Sequence, residues 1–337
     1  MRPIIILICL FLLSACAKPP VVPDWVAGNP AKYSSNRYLI GRGEASSVGL
    51  ARDRARADLA KNFAVQIHEQ TTDELLWQQG GEGLQGLQTT ISRNIQSQTD
   101  RLIEGVKIAE TWRAEEGGNY HALAILDRLQ VGSRLRARIN QLDQETAKNI
   151  NRARHEKALP EQIAAARNAL EAQLQRRHQQ ALLTIVDVTG TGIRPKYQLA
   201  DLKNDFDKLL KRWEIAPQVT QDDLGGGEEL LAGALGNIGV LHRTDTSAAD
   251  YLLVSQLVSK ELNATDGWYW LRGVLTVSLQ DRNSGQIFGT HQWFFKTSSR
   301  QADLIKIRAR SYLAAILDRE LLEVLTGFGQ GQQKKAY

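Results

Sequence analysis

Few residues in this 337-residue chain have the type and spacing for chemistry. The six histidines, His68, His121, His155, His178, His242 and His291, are scattered, and none has a second ligand at metal spacing. His68-Glu69 has no second histidine four residues on, so the zinc-protease pattern fails. No Gly-x-Ser-x-Gly elbow and no phosphate-binding Gly-x-x-x-x-Gly-Lys-Ser/Thr loop occurs. Gly41-Arg42-Gly43 stands where a dinucleotide loop would, but Ser46 replaces the third glycine. Close packing of a strand against a helix is the better reading of those two glycines. No cofactor, no metal and no enzymatic activity is expected. The thiol of Cys16 is the one reactive group with a job in view. Its thiolate is a nucleophile that can form a thioether, which a serine could not.

The surroundings of Cys16 set that chemistry. Arg2 is followed by the apolar run Ile4–Leu13, then by Ser14 and Ala15. Ten residues of helix span about 15 Å, half a bilayer core, so the run reads as an export signal and not a membrane span. Leu13-Ser14-Ala15-Cys16 resembles the bacterial lipobox, in which cleavage makes the cysteine the new N-terminus and both its thiol and its amine are acylated, the latter with a palmitate-type chain. Two or more acyl chains anchor stably. Cys9 falls in the discarded segment, so no disulfide is available to the mature chain. By resemblance to sorted lipoproteins, Ala17 after the cysteine implies the periplasmic face of the outer membrane. Nucleic acid is not an expected partner.

The elements that follow place the rest. Residues 16–36, with Pro19, Pro20, Pro23 and Pro30, read as a stiff lipid-anchored linker reaching at most about 70 Å. Residues 37–127 read as an α+β domain: a strand at Tyr38-Leu39-Ile40-Gly41, a helix capped by Ser46 or Ser47, then mainly antiparallel strands at 65–72, 89–98, 105–114 and 120–126. Residues 128–182 read as two helices meeting near Leu159, an antiparallel hairpin about 40 Å long. It carries 11 basic against 5 acidic side chains, a net +6 where the whole chain has +5. That stripe is either a solvated face or a contact for an acidic surface, with Arg134, Arg138, Arg152 and Arg154 as candidate contacts. Residues 183–328 read as a second α/β domain with about five strands, beginning with a strand at 183–188 and closing with a helix at 300–325; residues 329–337 form a tail. Trp268 and Trp270 lie on its last hairpin with Trp293, Phe294 and Phe295, and they are core if covered and a contact patch if not. The fold class expected is α+β: two small sheet domains joined by a long helical hairpin.

Pro23-Asp24-Trp25, Tyr38-Leu39-Ile40-Gly41-Arg42-Gly43-Glu44-Ala45 and Ala51-Arg52-Asp53-Arg54-Ala55-Arg56-Ala57-Asp58-Leu59-Ala60 together resemble the lipoprotein-20 (LPP20) family of bacterial envelope lipoproteins. The resemblance covers Pro23 to Asp127 and implies no catalytic residues. Ala249-Asp250-Tyr251-Leu252-Leu253-Val254, with Leu275–Leu279 and Ser284–Ile287, is similar to activator lipoproteins of penicillin-binding proteins and to curli-secretion-type lipoproteins. The function these readings imply is an outer-membrane lipoprotein acting as a non-enzymatic scaffold or assembly factor through protein contacts. The alternative is a periplasm-spanning activator of a peptidoglycan synthase.

Overall fold

The computed structural model describes residues 22–28, 30–61, 105–114 and 118–330, apart from the side chains of 263–265. It is an α+β protein. Its described residues divide into two compact units, one built from 22–61, 105–132 and 185–188, the other from 133–184 and 189–330. Cys16 and the strands expected at 65–72 and 89–98 lie outside the described residues.

In the first unit, helix α1 (Asp24–Ala27) precedes strand β1 (Tyr38–Ala45), and residues 48–61 form α2. Strands β2 (Lys107–Arg113) and β3 (Tyr120–Asp127) complete an antiparallel sheet in the order β1-β3-β2. Gly41 and Gly43 are where α2 presses on the sheet. A Cβ at Gly41 would collide with the carbonyl oxygen of Ala55, and one at Gly43 with that of Ala51. Ala51, Ala55 and Leu59 are buried along this contact.

The described part of the expected linker, from residue 23 to 36, folds onto this sheet instead. Trp25 is only 2% exposed and its Nε1 donates to Glu110 Oε2 at 2.8 Å. Lys32 Nζ and the Tyr33 hydroxyl donate to the other oxygen of Glu110, at 2.8 and 3.1 Å. The Lys32 ammonium is the main cause holding the Glu110 carboxyl below the usual carboxylate range, and Lys32 itself is raised to about 12 by hydrogen bonding to Glu110. Arg42 adds a bond from Nε to the Trp25 carbonyl at 2.7 Å. A buried indole with its N–H satisfied outweighs the extended preference of Pro23 and Pro30.

The helical hairpin comprises α3 (Arg128–His155) and α4 (Leu159–Val186), with Leu159 opening the second helix as expected. Partners move back along α4 as they advance along α3, from Arg138–Gln175 to Thr146–Gln173 and then Glu156–Gln162 at the turn, which is the antiparallel arrangement. Of the strand expected at 183–188, residues 183–186 are the last turn of α4, and 187–188 lead into a turn. Leu182, Leu183, Ile185 and Val186 are all buried, and no helix breaker intervenes before Gly190. Burial overrides the β preference of Ile185 and Val186. Arg128 then donates to the carbonyls of both residues at 3.0 Å, satisfying acceptors that a helix end leaves free.

In the second unit, α5 (Leu199–Lys211), β4 (Glu214–Asp222), α6 (Gly227–Asn237), β5 (Leu241–His242), β6 (Tyr251–Thr265), β7 (Trp268–Asp281), β8 (Ile287–Ser299) and α7 (Leu304–Phe328) follow in order. The five strands run β5-β4-β6-β7-β8, with β4 parallel to both its neighbours and β6, β7 and β8 antiparallel. The short extended piece expected at Pro217–Thr220 lies inside the longer β4. The two-residue β5 flanks only Glu214 and Ile215, so among the described residues β4 is an edge where Pro217 sits, a place where a proline is tolerated. Ile163, Leu170 and Leu174 of the hairpin share one core with Phe206, Trp213, Leu253, Leu275, Trp293 and Leu317. The buried stripe of α7 starts at Ile305 and Ala309, while Ile307 is exposed.

Candidate functional site

The second unit carries two open surfaces, and some of the candidate contact residues fall on them. The first is a groove of about 940 Å³ whose walls come from α3, α4 and α5. Small side chains open it: Ala147 and Ala153 on α3, and Ala166 and Ala169 on α4, leave a space that larger residues would fill. Ile150, Tyr197, Leu202 and Leu209 supply apolar lining. The charged lining residues are Arg154, Lys196, Lys208 and Arg212, with Asp201 and Asp205, and Lys208 Nζ already donates to Asp205 at 3.2 Å.

Of the four hairpin arginines, the structure brings only Arg154 to this groove. Arg152 pairs with Glu156 at 2.9 Å on its own helix. Arg138 donates to Gln175 Oε1 at 3.2 Å and faces Glu145 at 3.6 Å. Arg134 is exposed, one helical turn from Arg138. The net charge of the hairpin therefore overstates its free positive surface, because helix-spaced carboxylates neutralise part of it.

Two interior groups of the hairpin were not singled out in the sequence. Arg176 is 2% exposed, and its Nε donates to Asp143 at 3.1 Å while its Nη2 donates to the carbonyls of Ile193 and Arg194 at 3.0 and 3.1 Å. Gln173 donates to the same Asp143 at 3.0 Å and to Thr146 at 2.9 Å. His178 is 3% exposed, and among the described residues neither ring nitrogen has a hydrogen-bond partner. Burial pushes its pKa down to about 4, so the ring is neutral at physiological pH. The signal available in the sequence was polar side chains on a stripe that the helical spacing turns inward.

The second surface is the sheet face turned away from the core. On β7, Leu271, Leu275, Val277 and Leu279 are buried, while Trp268, Trp270, Arg272 and Val274 take the opposite parity. Trp268 and Trp270 therefore share the outer face. Each is half-covered by a cation: Arg300 lies 5.1 Å from the Trp268 ring and Lys296 Nζ 4.5 Å from the Trp270 ring. Trp293 has the inward parity and its Nε1 donates to Glu320 at 3.0 Å. Val258 and Phe294 are exposed on the outer face. A shallow depression of about 590 Å³ lies there, lined by Val258, Lys260, Arg272, Val274, Phe294 and Lys296 among others. The second unit thus offers two open surfaces of mixed apolar and cationic character. Among the described residues no cluster of His, Cys, Asp and Glu could hold a metal.

Comparison with solved structures finds partial likenesses. A Caulobacter crescentus protein described as a lipoprotein is 18% identical over 36% of this chain and 93% of its own, with a TM-score of 0.27. A minor lipoprotein from Acinetobacter baumannii is 22% identical over 38% of this chain and 98% of its own, with a TM-score of 0.24. A secreted protein from Helicobacter pylori is 14% identical over 85% of this chain and 97% of its own, with a TM-score of 0.41. No curated protein matches the chain. Residues 23–127, which begin at the helix carrying Trp25 and end with β3, match the LPP20 lipoprotein family.

Proposed function

We propose that this chain is a lipid-anchored lipoprotein of the bacterial envelope that works without catalysis, presenting its second unit to protein partners. The observation that carries the reading is the LPP20 lipoprotein match, which begins at residue 23, seven residues after Cys16. On this reading the Cys16 thiol carries diacylglycerol and its amine an acyl chain, and the protein sits on the periplasmic face of the outer membrane. Seven residues reach at most about 25 Å. Because Trp25 is folded into the sheet, the first unit rides close to the lipid headgroups. The anchor raises the concentration of the second unit's surfaces near the membrane, which strengthens docking without any new contact. Arg134 and Arg154 on the hairpin, with Arg138 and Arg152 beside them, and Trp268 and Trp270 on the sheet are the residues assigned to partner contact.

Membrane fractionation tests the anchor. The wild-type chain is expected in the outer-membrane fraction and a Cys16→Ser variant in the soluble fraction. A Cys16→Ser chain that remained with the membrane would contradict the assignment.

A further inference from the structure

The outer sheet face has an order that a merely solvated surface does not need. Strand register places Val258, Val274 and Phe294 side by side across β6, β7 and β8. Two residues along, the same register lines up Lys260, Arg272 and Lys296. Neighbouring strands are about 4.8 Å apart, so the three cations span about 10 Å. Like charges directly opposite one another on a sheet are destabilising. Here there are two such pairs in succession, Lys260 with Arg272 and Arg272 with Lys296. No aspartate or glutamate takes this face between Leu252 and Leu262 on β6, Trp268 and Gln280 on β7, or Thr290 and Ser298 on β8. Glu261 has the other parity, paired with Leu271. Among the described residues no carboxylate pairs with any of the three cations. Beside this repelling row Phe294 is 58% exposed and Val258 42%.

We infer that this face is the docking site for an acidic, amphipathic segment of a partner protein. This inference rests on the reading of the chain as an anchored docking protein and names the chemistry of the partner. Carboxylates of the segment seat on the Lys260–Arg272–Lys296 row and relieve its repulsion. Apolar side chains of the same segment cover Val258, Val274 and Phe294. An exposed aromatic next to arginine is the composition of interface cores. Openness favours a polypeptide over a lipid: a depression of about 590 Å³ lying on a sheet face covers an acyl chain on one side only, whereas a protein brings its own surface to close the other.

The test is photo-crosslinking in cells with p-benzoylphenylalanine in place of Phe294, in the full-length anchored protein, followed by mass spectrometry of the adduct. The expected result is a discrete protein adduct whose linked peptide is rich in Asp or Glu. It is lost at least ten-fold when Lys260→Glu, Arg272→Glu and Lys296→Glu are combined, while the thermal unfolding midpoint of that variant does not fall. A lipid adduct, a linked peptide without acidic residues, no discrete adduct, or an adduct that survives charge reversal overturns the inference. Fractionation of the same cells keeps the two readings apart. A membrane-bound chain without the adduct sinks this inference alone, and a soluble wild-type chain sinks the anchor.

Discussion

Single buried polar residues carry much of the hairpin's identity. Arg176 joins α3 to α4 through Asp143 and ties the loop after α4 through the carbonyls of Ile193 and Arg194. Removing one partner of a buried pair leaves the other uncompensated. Arg176→Ala is expected to destabilise the second unit by about 3–5 kcal/mol in urea unfolding. Replacing both partners, Arg176→Met with Asp143→Leu, should cost far less, because no charge is then stranded. Equal losses in the single and double variants would show that packing alone sets the effect. His178 makes a different prediction. Its folded pKa is lowered to about 4 by burial, while an unfolded histidine titrates near 6.5. Between those values the unfolded chain binds more protons than the folded one, so stability is full above about pH 6.5 and falls as the pH drops toward 4. From pH 7.5 to pH 5 the loss due to this group is about 2 kcal/mol. A His178→Leu variant should lose correspondingly less stability over that range. An unchanged pH dependence would mean that the ring is already protonated, or satisfied, in the folded state.

Between elements, the decisive contacts are those where no side chain fits. Glycine at 41 and 43 lets α2 approach β1 until helix carbonyls fill the space of a Cβ. Gly43→Ala is expected to lower the first unit's stability by at least about 1–3 kcal/mol in thermal unfolding. Gly49→Ala, in the same helix, meets nothing within 4 Å and should be neutral or stabilising by up to about 1 kcal/mol. If the two substitutions behaved alike, the close helix–strand approach would be refuted. These glycines were readable in the sequence because a missing third glycine removed the nucleotide reading and left packing. The hairpin was readable too, since glycine is absent from 133 to 182 and Pro160 stands where a helix tolerates it. The last turn of α4 was not readable: Ile185 and Val186 are poor helix formers locally, and only the burial supplied by tertiary packing makes them helical. The full length of β4 was not readable either, since only Pro217–Thr220 of Glu214–Asp222 read as extended.

Over the whole molecule, what the sequence indicated best was the α+β class and the lipoprotein-family likeness of residues 23–127, and what it indicated least was surface. A leader, a cysteine and a Trp25-containing start were local patterns needing no tertiary knowledge. The net charge of the hairpin was local as well, yet the pairing of Arg138 and Arg152 with nearby carboxylates is a property of folded geometry. Likewise the outer sheet face becomes visible only when register aligns residues as distant as Lys260 and Lys296. With Trp25 packed on the sheet and bonded to Glu110 of β2, the tether left between Cys16 and residue 23 reaches about 25 Å and not about 70 Å, which on the proposed reading keeps the first unit near the membrane. The central claim is that this unit is held there by acyl chains on one cysteine. The most direct measurement is the mass of the N-terminal peptide of protein purified from native membranes. The account predicts a peptide that begins at Cys16 and carries a diacylglyceryl thioether and an amide-linked acyl chain. A peptide beginning at Met1, or one whose Cys16 is an unmodified thiol, would contradict it.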